Sequence, residues 1–271
     1  MTPPNPIRDE WTSPDGSVRL LLGDCLEILP TLDREEIGAV VTDPPYGVTQ
    51  NGWDSLSVTL RCFDMICQPI VCTCQNPASA ELIIRYRKRF KWSDVWHKTQ
   101  SRGFLNAKVM PLREHEDILV FASGRMTYNP QFTVKPFENR RPHTPSTKRT
   151  ENYGAYDLDS DRSVGCDVSY PRSVVRFANS QDRQHSTQKP VPLLEYLVSS
   201  YSNEEQLILD PFMGSGTTGV ACIRTQRRFI GIEIEPKYFE IAVQRCQREL
   251  DRFPLFEQPA KPTQNSLFDS A

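Results

Sequence analysis

Two periodicities alternate along this 271-residue chain. Short, nearly continuous apolar runs at Val18–Leu22, Ile37–Thr42, Pro69–Cys74, Leu207–Leu209 and Arg228–Ile234 have the length and composition of strands buried on both faces. Stretches of helical spacing separate them. Cys25–Leu29 is one. A second starts at Asp54, read as its cap, with Leu56, Leu60, Phe63 and Cys67 at intervals of four, three and four. A third has Asn76 as N-cap and Pro77 at the first helical position and runs to about Arg89. Pro190–Tyr201 places Leu193, Leu194, Leu197 and Val198 on one face. Helical sequence also follows at Thr217–Arg227 and from Pro236, with Phe239, Ala242, Cys246 and Leu250 inward. Trp92–Lys98 and Asp117–Phe121 predict two more strands, an antiparallel pair at the sheet edge. Strands separated by helices, twice over, imply a parallel α/β sheet covered on both faces.

The pattern lapses at three places. Residues 1–17 carry four prolines and read as an arm. Residues 125–184 are irregular and too long for a simple connection. Their first part, 125–150, is basic, with Lys or Arg at 125, 135, 140, 141, 148 and 149 against Glu138 alone. Residues 251–271, rich in Pro and Gln, read as a disordered tail. The organisation expected is thus an arm (1–17), a first half-domain (18–124), an insertion (125–184), a second half-domain (185–250) and the tail. No apolar run reaches the roughly 20 residues of a membrane span, and no signal-peptide core opens the chain, so a soluble intracellular protein is expected. Eight cysteines form no CxxC pair; Cys72 and Cys74 fall in a strand and are read as buried thiols, with no metal site expected. The formal charge of −2 excludes a generally basic nucleic-acid binder but allows a local basic patch.

Two stretches carry chemistry. Leu207–Asp210 runs into a glycine turn, Gly214-Ser-Gly-Thr-Thr-Gly219, and then into helix: a strand, tight turn and helix start suited to a nucleotide-like ligand. The second is Asp43-Pro-Pro-Tyr46, at the carboxyl end of a buried strand. Its prolines supply no N–H, so the loop offers acceptors, the Asp43 carboxylate and the Pro44 carbonyl, beside an aromatic face from Tyr46. That set suits an exocyclic amino group on a flat ring.

Together, Asp43-Pro-Pro-Tyr46 and Leu209-Asp-Pro-Phe-Met-Gly-Ser-Gly216 resemble the amino-group DNA methyltransferases that use S-adenosylmethionine. The order, catalytic loop before cofactor turn, resembles the permuted beta class. The likeness covers residues 18 to about 250 outside the variable middle. It implies a Rossmann-like methyltransferase fold with a mostly parallel seven-stranded sheet and an irregular target-recognition insertion. It also implies methyl transfer to the N6 amine of an adenine flipped from double-stranded DNA, with cytosine N4 as the alternative; Asp at the first motif position accompanies adenine more often in this family. Asp43, Pro44, Pro45 and Tyr46 are then catalytic. For the cofactor, the resemblance implies Asp24 and Cys25 at the adenine, Glu233 at the ribose hydroxyls, and Asp210, Pro211, Phe212, Met213, Gly214, Ser215, Gly216 and Thr217 along the turn. Lys189 or Thr187, within His185-Ser-Thr-Gln-Lys-Pro190, is expected at the methionine carboxylate, and Asp43 borders both ligands. Tyr128-Asn-Pro-Gln131 is a weaker family signal.

Arg140, Arg141, Lys148 and Arg149 are the expected DNA contacts. Arg85–Lys91, basic at five of seven positions, reads equally as a backbone track or a solvated helix end. Gln264-Asn-Ser-Leu-Phe268 resembles the short peptide that docks bacterial proteins on the replication sliding clamp. An orphan or restriction-associated enzyme of a bacterial or phage-infected cytoplasm, associated with the nucleoid, is expected; homodimerisation stays open. Rival readings fit less well. A dinucleotide oxidoreductase would place its acid about 20 residues after the glycines, whereas Glu233 follows Gly219 by fourteen, and it leaves Asp43–Tyr46 unexplained. RNA or protein-glutamine methyltransferases tend to have Asn before Pro-Pro-Tyr and the cofactor turn first. A catalytically dead relative would be expected to have lost Asp43 or the glycines.

Overall fold

The computed structural model describes residues 5–47, 54–135, 167–179 and 188–252. The strands are β1 (Asp9–Thr12), β2 (Val18–Leu22), β3 (Ile37–Thr42), β4 (Ile70–Cys74), β5 (Phe90–Arg102), β6 (Arg113–Phe121), β7 (Thr133–Val134), β8 (Val168–Ser169), β9 (Val174–Phe177), β10 (Leu207–Asp210) and β11 (Arg228–Glu233). The α-helices are α1 (Cys25–Ile28), α2 (Leu56–Asp64), α3 (Ala78–Arg85), α4 (Val191–Tyr201), α5 (Thr217–Arg224) and α6 (Pro236–Arg252).

Among the described residues the main sheet has nine strands in the order β1-β2-β11-β10-β3-β4-β6-β5-β9. Its centre, β2 to β4, is parallel, and β6 runs antiparallel to both neighbours. Seven of the strands form the expected α/β sheet. The other two come from stretches read as irregular. β1, inside the arm, pairs antiparallel with β2, and β9, inside the insertion, pairs parallel with β5, so the β5–β6 pair is not the edge.

Alternate residues of each central strand go to opposite cores. Leu20, Val41 and Ile208 face one apolar cluster with Leu193, Leu197, Cys222, Phe239 and Cys246 of α4, α5 and α6. Leu21, Val40 and Leu209 face another with Ile28, Phe63 and Leu82 of α1, α2 and α3. Burial of each such side chain contributes roughly 1.5–3 kcal/mol, which is why these runs are strands whatever their local propensity. Cys72 and Cys74 are buried in β4. Among the described residues no helix is long and apolar enough to cross a membrane.

Several boundaries differ from expectation. α2 is capped at Ser55, not Asp54; it buries Thr59, Cys62 and Phe63, while Cys67 lies beyond its end and is exposed. Pro77 precedes α3 rather than opening it, and the helix stops at Arg85. Asp251 and Arg252, assigned to the tail, belong to α6, whose fourth buried position is Glu249, held by Arg224, rather than Leu250. Arg85 pairs with Asp64, and Arg89 donates to the carbonyls of Ile66 and Gln68, so that part of the basic cluster braces α3 against α2.

From β3 the chain passes through α2 to β4 on one side; from β10 it passes through α5 to β11 on the other. β3 and β10 are adjacent and parallel. The carboxyl ends of these two strands flank the point where the winding reverses, where open α/β sheets bind ligands.

Candidate active site

A cavity of about 750 Å³ opens at that reversal point. One wall is built on the ends of β10 and β11. Asp210 closes β10 almost fully buried, and its carboxylate accepts from the Thr42 hydroxyl (2.6 Å), the Thr218 hydroxyl (2.6 Å) and the Phe212 N–H (3.0 Å). Burial pushes its pKa up to about 6 against those hydrogen bonds. Asp210 therefore knots β3, β10 and α5 together beneath the turn, with all its strong contacts inside the protein. Gly214 (φ 51°) and Gly216 (φ 76°) adopt left-handed conformations that favour glycine. Gly216 turns away from the cavity: a Cβ there would lie 2.8 Å from the Ala242 Cβ of α6. Its lack of a Cβ lets the turn pack closely on α6.

Glu233 ends β11. Its carboxylate accepts from the N–H groups of Gly214, Ile234 and Glu235, each at 2.9 Å. Burial raises its pKa to about 6 even so. An ionised carboxylate has about four acceptor sites, so this arrangement leaves room for one hydroxyl rather than the pair expected. Across β11, Asp24 caps α1 through the Leu26 N–H (2.9 Å) and still lines the cavity, as does Cys25; the cap reading and the ligand reading of Asp24 are compatible. Pro211, Phe212, Met213, Ser215 and Thr217 line the same wall, and Arg245 steadies the turn by donating to the Ser215 carbonyl and the Thr217 hydroxyl.

The opposite wall starts at the end of β3. Asp43 Oδ1 accepts from Thr73 Oγ1 of β4 (2.5 Å) and from the Tyr46 hydroxyl (3.2 Å), while Oδ2 faces Lys189 Nζ at 2.5 Å. Lys189 Nζ also lies 3.3 Å from Glu116 Oε2 and 3.5 Å from the Tyr46 hydroxyl, and Lys98 Nζ lies 2.5 Å from Glu116 Oε1. A buried chain of alternating charge, Lys98–Glu116–Lys189–Asp43, thus runs from the β5–β6 pair to the catalytic loop. Burial opposes the charge on Lys189, but the Asp43 and Glu116 carboxylates outweigh it and hold the ammonium well above the ordinary lysine range. Burial likewise raises Glu116, and Lys189 and Lys98 overcome it to leave the pKa lowered. Lys189 hydrogen-bonds Asp43 and the Tyr46 hydroxyl and pairs in charge with Glu116, and it lines the cavity in which the resemblance expects it at a methionine carboxylate.

Asp54, read as a helix cap, instead accepts from the N–H groups of Tyr46 and Gly47, both at 2.7 Å, and Thr59 of α2 hydrogen-bonds the Pro45 carbonyl. These contacts fix the loop around its two prolines. Burial, then the Asp43 charge, pushes the Tyr46 hydroxyl well above the usual tyrosine range, so the ring stays neutral. Asp43, Pro44, Pro45 and Tyr46 all line the cavity. Asn129, from the weaker family signal, donates to the carbonyls of Ser199 and Ser202 at the end of α4 and anchors the start of the insertion there.

Thr73, Gln75, Lys98 and Glu116 were not found by sequence reading. Gln75 joins Glu116 (3.2 Å) to Arg113 (3.1 Å). The available signal was slight: Lys98 closes one predicted strand and Glu116 immediately precedes the other. Thr187, Arg140, Arg141, Lys148, Arg149 and the Gln264–Phe268 peptide lie outside the described residues.

Comparison with known proteins agrees with this geometry. The chain is 26% identical to the type II methyltransferase M.HpaI of Haemophilus parainfluenzae over 93% of its own length and 81% of the relative's. It is 26% identical to the DNA adenine methyltransferase YhdJ of Escherichia coli K12 over 83% and 81%. The crystal structure of the M1.HpyAVI–SAM complex superposes with a TM-score of 0.57 at 24% identity, covering 84% of this chain and 99% of that one. The sequence profile of the N6/N4 DNA methylase family matches residues 68–244, about two-thirds of the chain. Bearing that profile over an α/β sheet with Asp43–Tyr46 facing the glycine turn, the chain belongs to the N6/N4 DNA methylase family and is a DNA methyltransferase.

Proposed function

We propose that the chain transfers a methyl group from S-adenosylmethionine to the N6 amine of adenine in double-stranded DNA, the amine being held at Asp43. One observation carries this reading: Asp43-Pro-Pro-Tyr46 and the Gly214 turn share a single cavity. The donor set fits S-adenosylmethionine. Glu233 retains an acceptor for a ribose hydroxyl, Asp24 has a carboxylate oxygen beyond its cap bond, and the turn from Phe212 to Ser215 presents backbone at the cavity wall. When bound, S-adenosylmethionine supplies an electrophilic methyl group on a sulfonium.

The protein's task is to make a poor nucleophile ready. An exocyclic amine has its lone pair drawn into the ring. Three of the four acceptor sites of Asp43 are taken by Thr73, Tyr46 and Lys189. The remaining one takes one amine hydrogen, and the Pro44 carbonyl, on the same cavity, takes the other. Two acceptors at one nitrogen favour a pyramidal geometry with the lone pair aimed at the methyl group. Orientation of this kind can supply roughly 7–11 kcal/mol of the barrier. Loss of a proton from the methylated nitrogen completes the step, with Asp43 as the nearest base. An amine paired inside a duplex cannot reach this cavity, so the base is extruded and stacks on Tyr46.

Adenine is preferred over cytosine because Asp, not Ser, opens the motif and because YhdJ is an adenine methyltransferase. The test is transfer of tritiated methyl from S-adenosylmethionine to unmethylated genomic DNA, followed by chromatography of the nucleosides. Label in N6-methyladenosine is expected. Label in N4-methylcytosine would keep the mechanism and overturn the base; label only in RNA or protein would overturn the substrate.

A further inference from the structure

The connection between β5 and β6, residues 103–112, is an apolar knob that carries the most exposed large hydrophobic side chains among the described residues. Phe104, Leu105 and Val109 are 77%, 84% and 81% exposed, and Met110 and Leu112 are also exposed. The backbone closes on itself: Asn106 N–H donates to Gly103, Ala107 to Phe104, and both Val109 and Met110 to Asn106. The apolar side chains are therefore displayed by an ordered turn. Its inner side, Gly103, Asn106, Met110 and Pro111, lines the same cavity as Asp43 and Tyr46, and Lys108 and Arg113 are exposed on the connection and at its foot.

We infer that this knob is a wedge that enters duplex DNA at the target base pair and occupies the place the extruded base vacates. The inference rests on the DNA-methylation reading of the cavity. A duplex with one base withdrawn offers an apolar slot between stacked neighbours, with phosphates on both flanks. An apolar tip with cations beside it complements such a slot, and side chains of this type inserted between base steps offset lost stacking. The continuity of the knob with the base cavity puts the slot and the extruded base within reach together.

The experiment uses the full chain and a duplex bearing its methylation site, found by sequencing DNA that it has modified. Phe104→Ser with Leu105→Ser should leave thermal melting and S-adenosylmethionine affinity unchanged, since both side chains are exposed. On the matched duplex kcat/KM should fall at least about tenfold, because unstacking is no longer offset. On a duplex mismatched at the target base, already loosened, the variant should recover to within about threefold of wild type. Val109→Ser should show a smaller fall with the same rescue. Wild-type rates on the matched duplex, or a deficit that the mismatch does not repair, would overturn the wedge. A concentration-dependent dimer dissociated by the double substitution, with a deficit that the mismatch does not repair, would assign the knob to a second copy of the chain instead. A wild-type chain that methylates no DNA would overturn the cavity reading and the wedge with it.

Discussion

Lys189 sets its ammonium 2.5 Å from the Asp43 carboxylate, joining residues 146 positions apart. The pair holds the Asp43 carboxyl group in a fixed orientation. Lys189→Met should lower kcat about 100-fold through misplacement of Asp43, with S-adenosylmethionine affinity within about twofold of wild type because no donor is withdrawn from that ligand. Lys189→Arg should recover part of the loss. Loss of cofactor affinity with kcat preserved would return Lys189 to the methionine carboxylate. Thermal melting separates either outcome from the instability, about 3–5 kcal/mol, that can follow when one partner of a buried pair is removed.

Asp54 acts on the same loop from the other side, accepting from the N–H groups of Tyr46 and Gly47. Asp54→Ala leaves both donors without this acceptor, at up to about 1–3 kcal/mol for the part-buried Tyr46 N–H and less for the exposed Gly47 N–H, which water reaches. The loop should loosen around Tyr46, so KM for DNA should rise and kcat fall, roughly tenfold or more in kcat/KM. Steady-state kinetics at saturating cofactor would check it; unchanged kinetics would reduce Asp54 to a surface contact.

The two glycines of the turn should separate in their response to alanine. At Gly214, φ is 51° and an added Cβ meets nothing within 4 Å, so the cost is the left-handed backbone alone, about 1–2 kcal/mol. At Gly216, φ is 76° and the added Cβ also presses on Ala242 of α6. Gly216→Ala should therefore destabilise more and should lower cofactor affinity by shifting the turn. Equal effects in denaturant titrations would contradict the packing role given to Gly216.

Asp210 predicts a pH signature. Burial raises its pKa from 3.8 to about 6 in the folded chain, so folding favours the neutral acid. Its contribution to stability is fully present below 3.8 and is lost as pH rises through about 6. Asn at this position keeps the acceptor for Thr42 and Phe212, lets the Thr218 hydroxyl accept, and does not titrate. The stability of Asp210→Asn relative to wild type should thus increase between pH 4 and 7, by up to about 3 kcal/mol. Glu233, raised to about 6 as well, mainly by its own burial and least by the Asp210 charge, titrates in both proteins and cancels in the difference except for that small coupling. A difference that stays flat would show that Asp210 is ionised throughout.

The residues legible in the sequence are those whose roles are local. β2, β3, β10 and β11 announce themselves as apolar runs because burial on both faces leaves no polar position free, and each ends at Asp24, Asp43, Asp210 or Glu233, where the sheet opens to its ligand. What was missed depends on pairing across the chain. Lys98 and Glu116 read as ordinary charges on two strands until the antiparallel register of β5 and β6 brings them together. Asp54 had the spacing of a cap, yet the Tyr46 and Gly47 N–H groups outcompete the helix for it. β1 and β9, four residues each, are too short to show a period; they form because β2 and β5 offer them unpaired backbone. Of the resemblance, the motif positions from Asp210 to Ser215, with Asp24, Asp43, Lys189 and Glu233, fall on the cavity, while Gly216 packs against Ala242 of α6.

The central claim is that Asp43 acts on the amine and not on the cofactor. The measurement that tests it most directly pairs labelled-methyl transfer with calorimetric binding of S-adenosylmethionine in Asp43→Ala. Transfer to adenine should drop below about one-thousandth of wild type, the loss expected when an acceptor aimed at the reacting group is removed, while the cofactor still binds. Transfer that persists, or cofactor binding that disappears with it, would contradict the division of the cavity into a cofactor wall and an amine-holding wall.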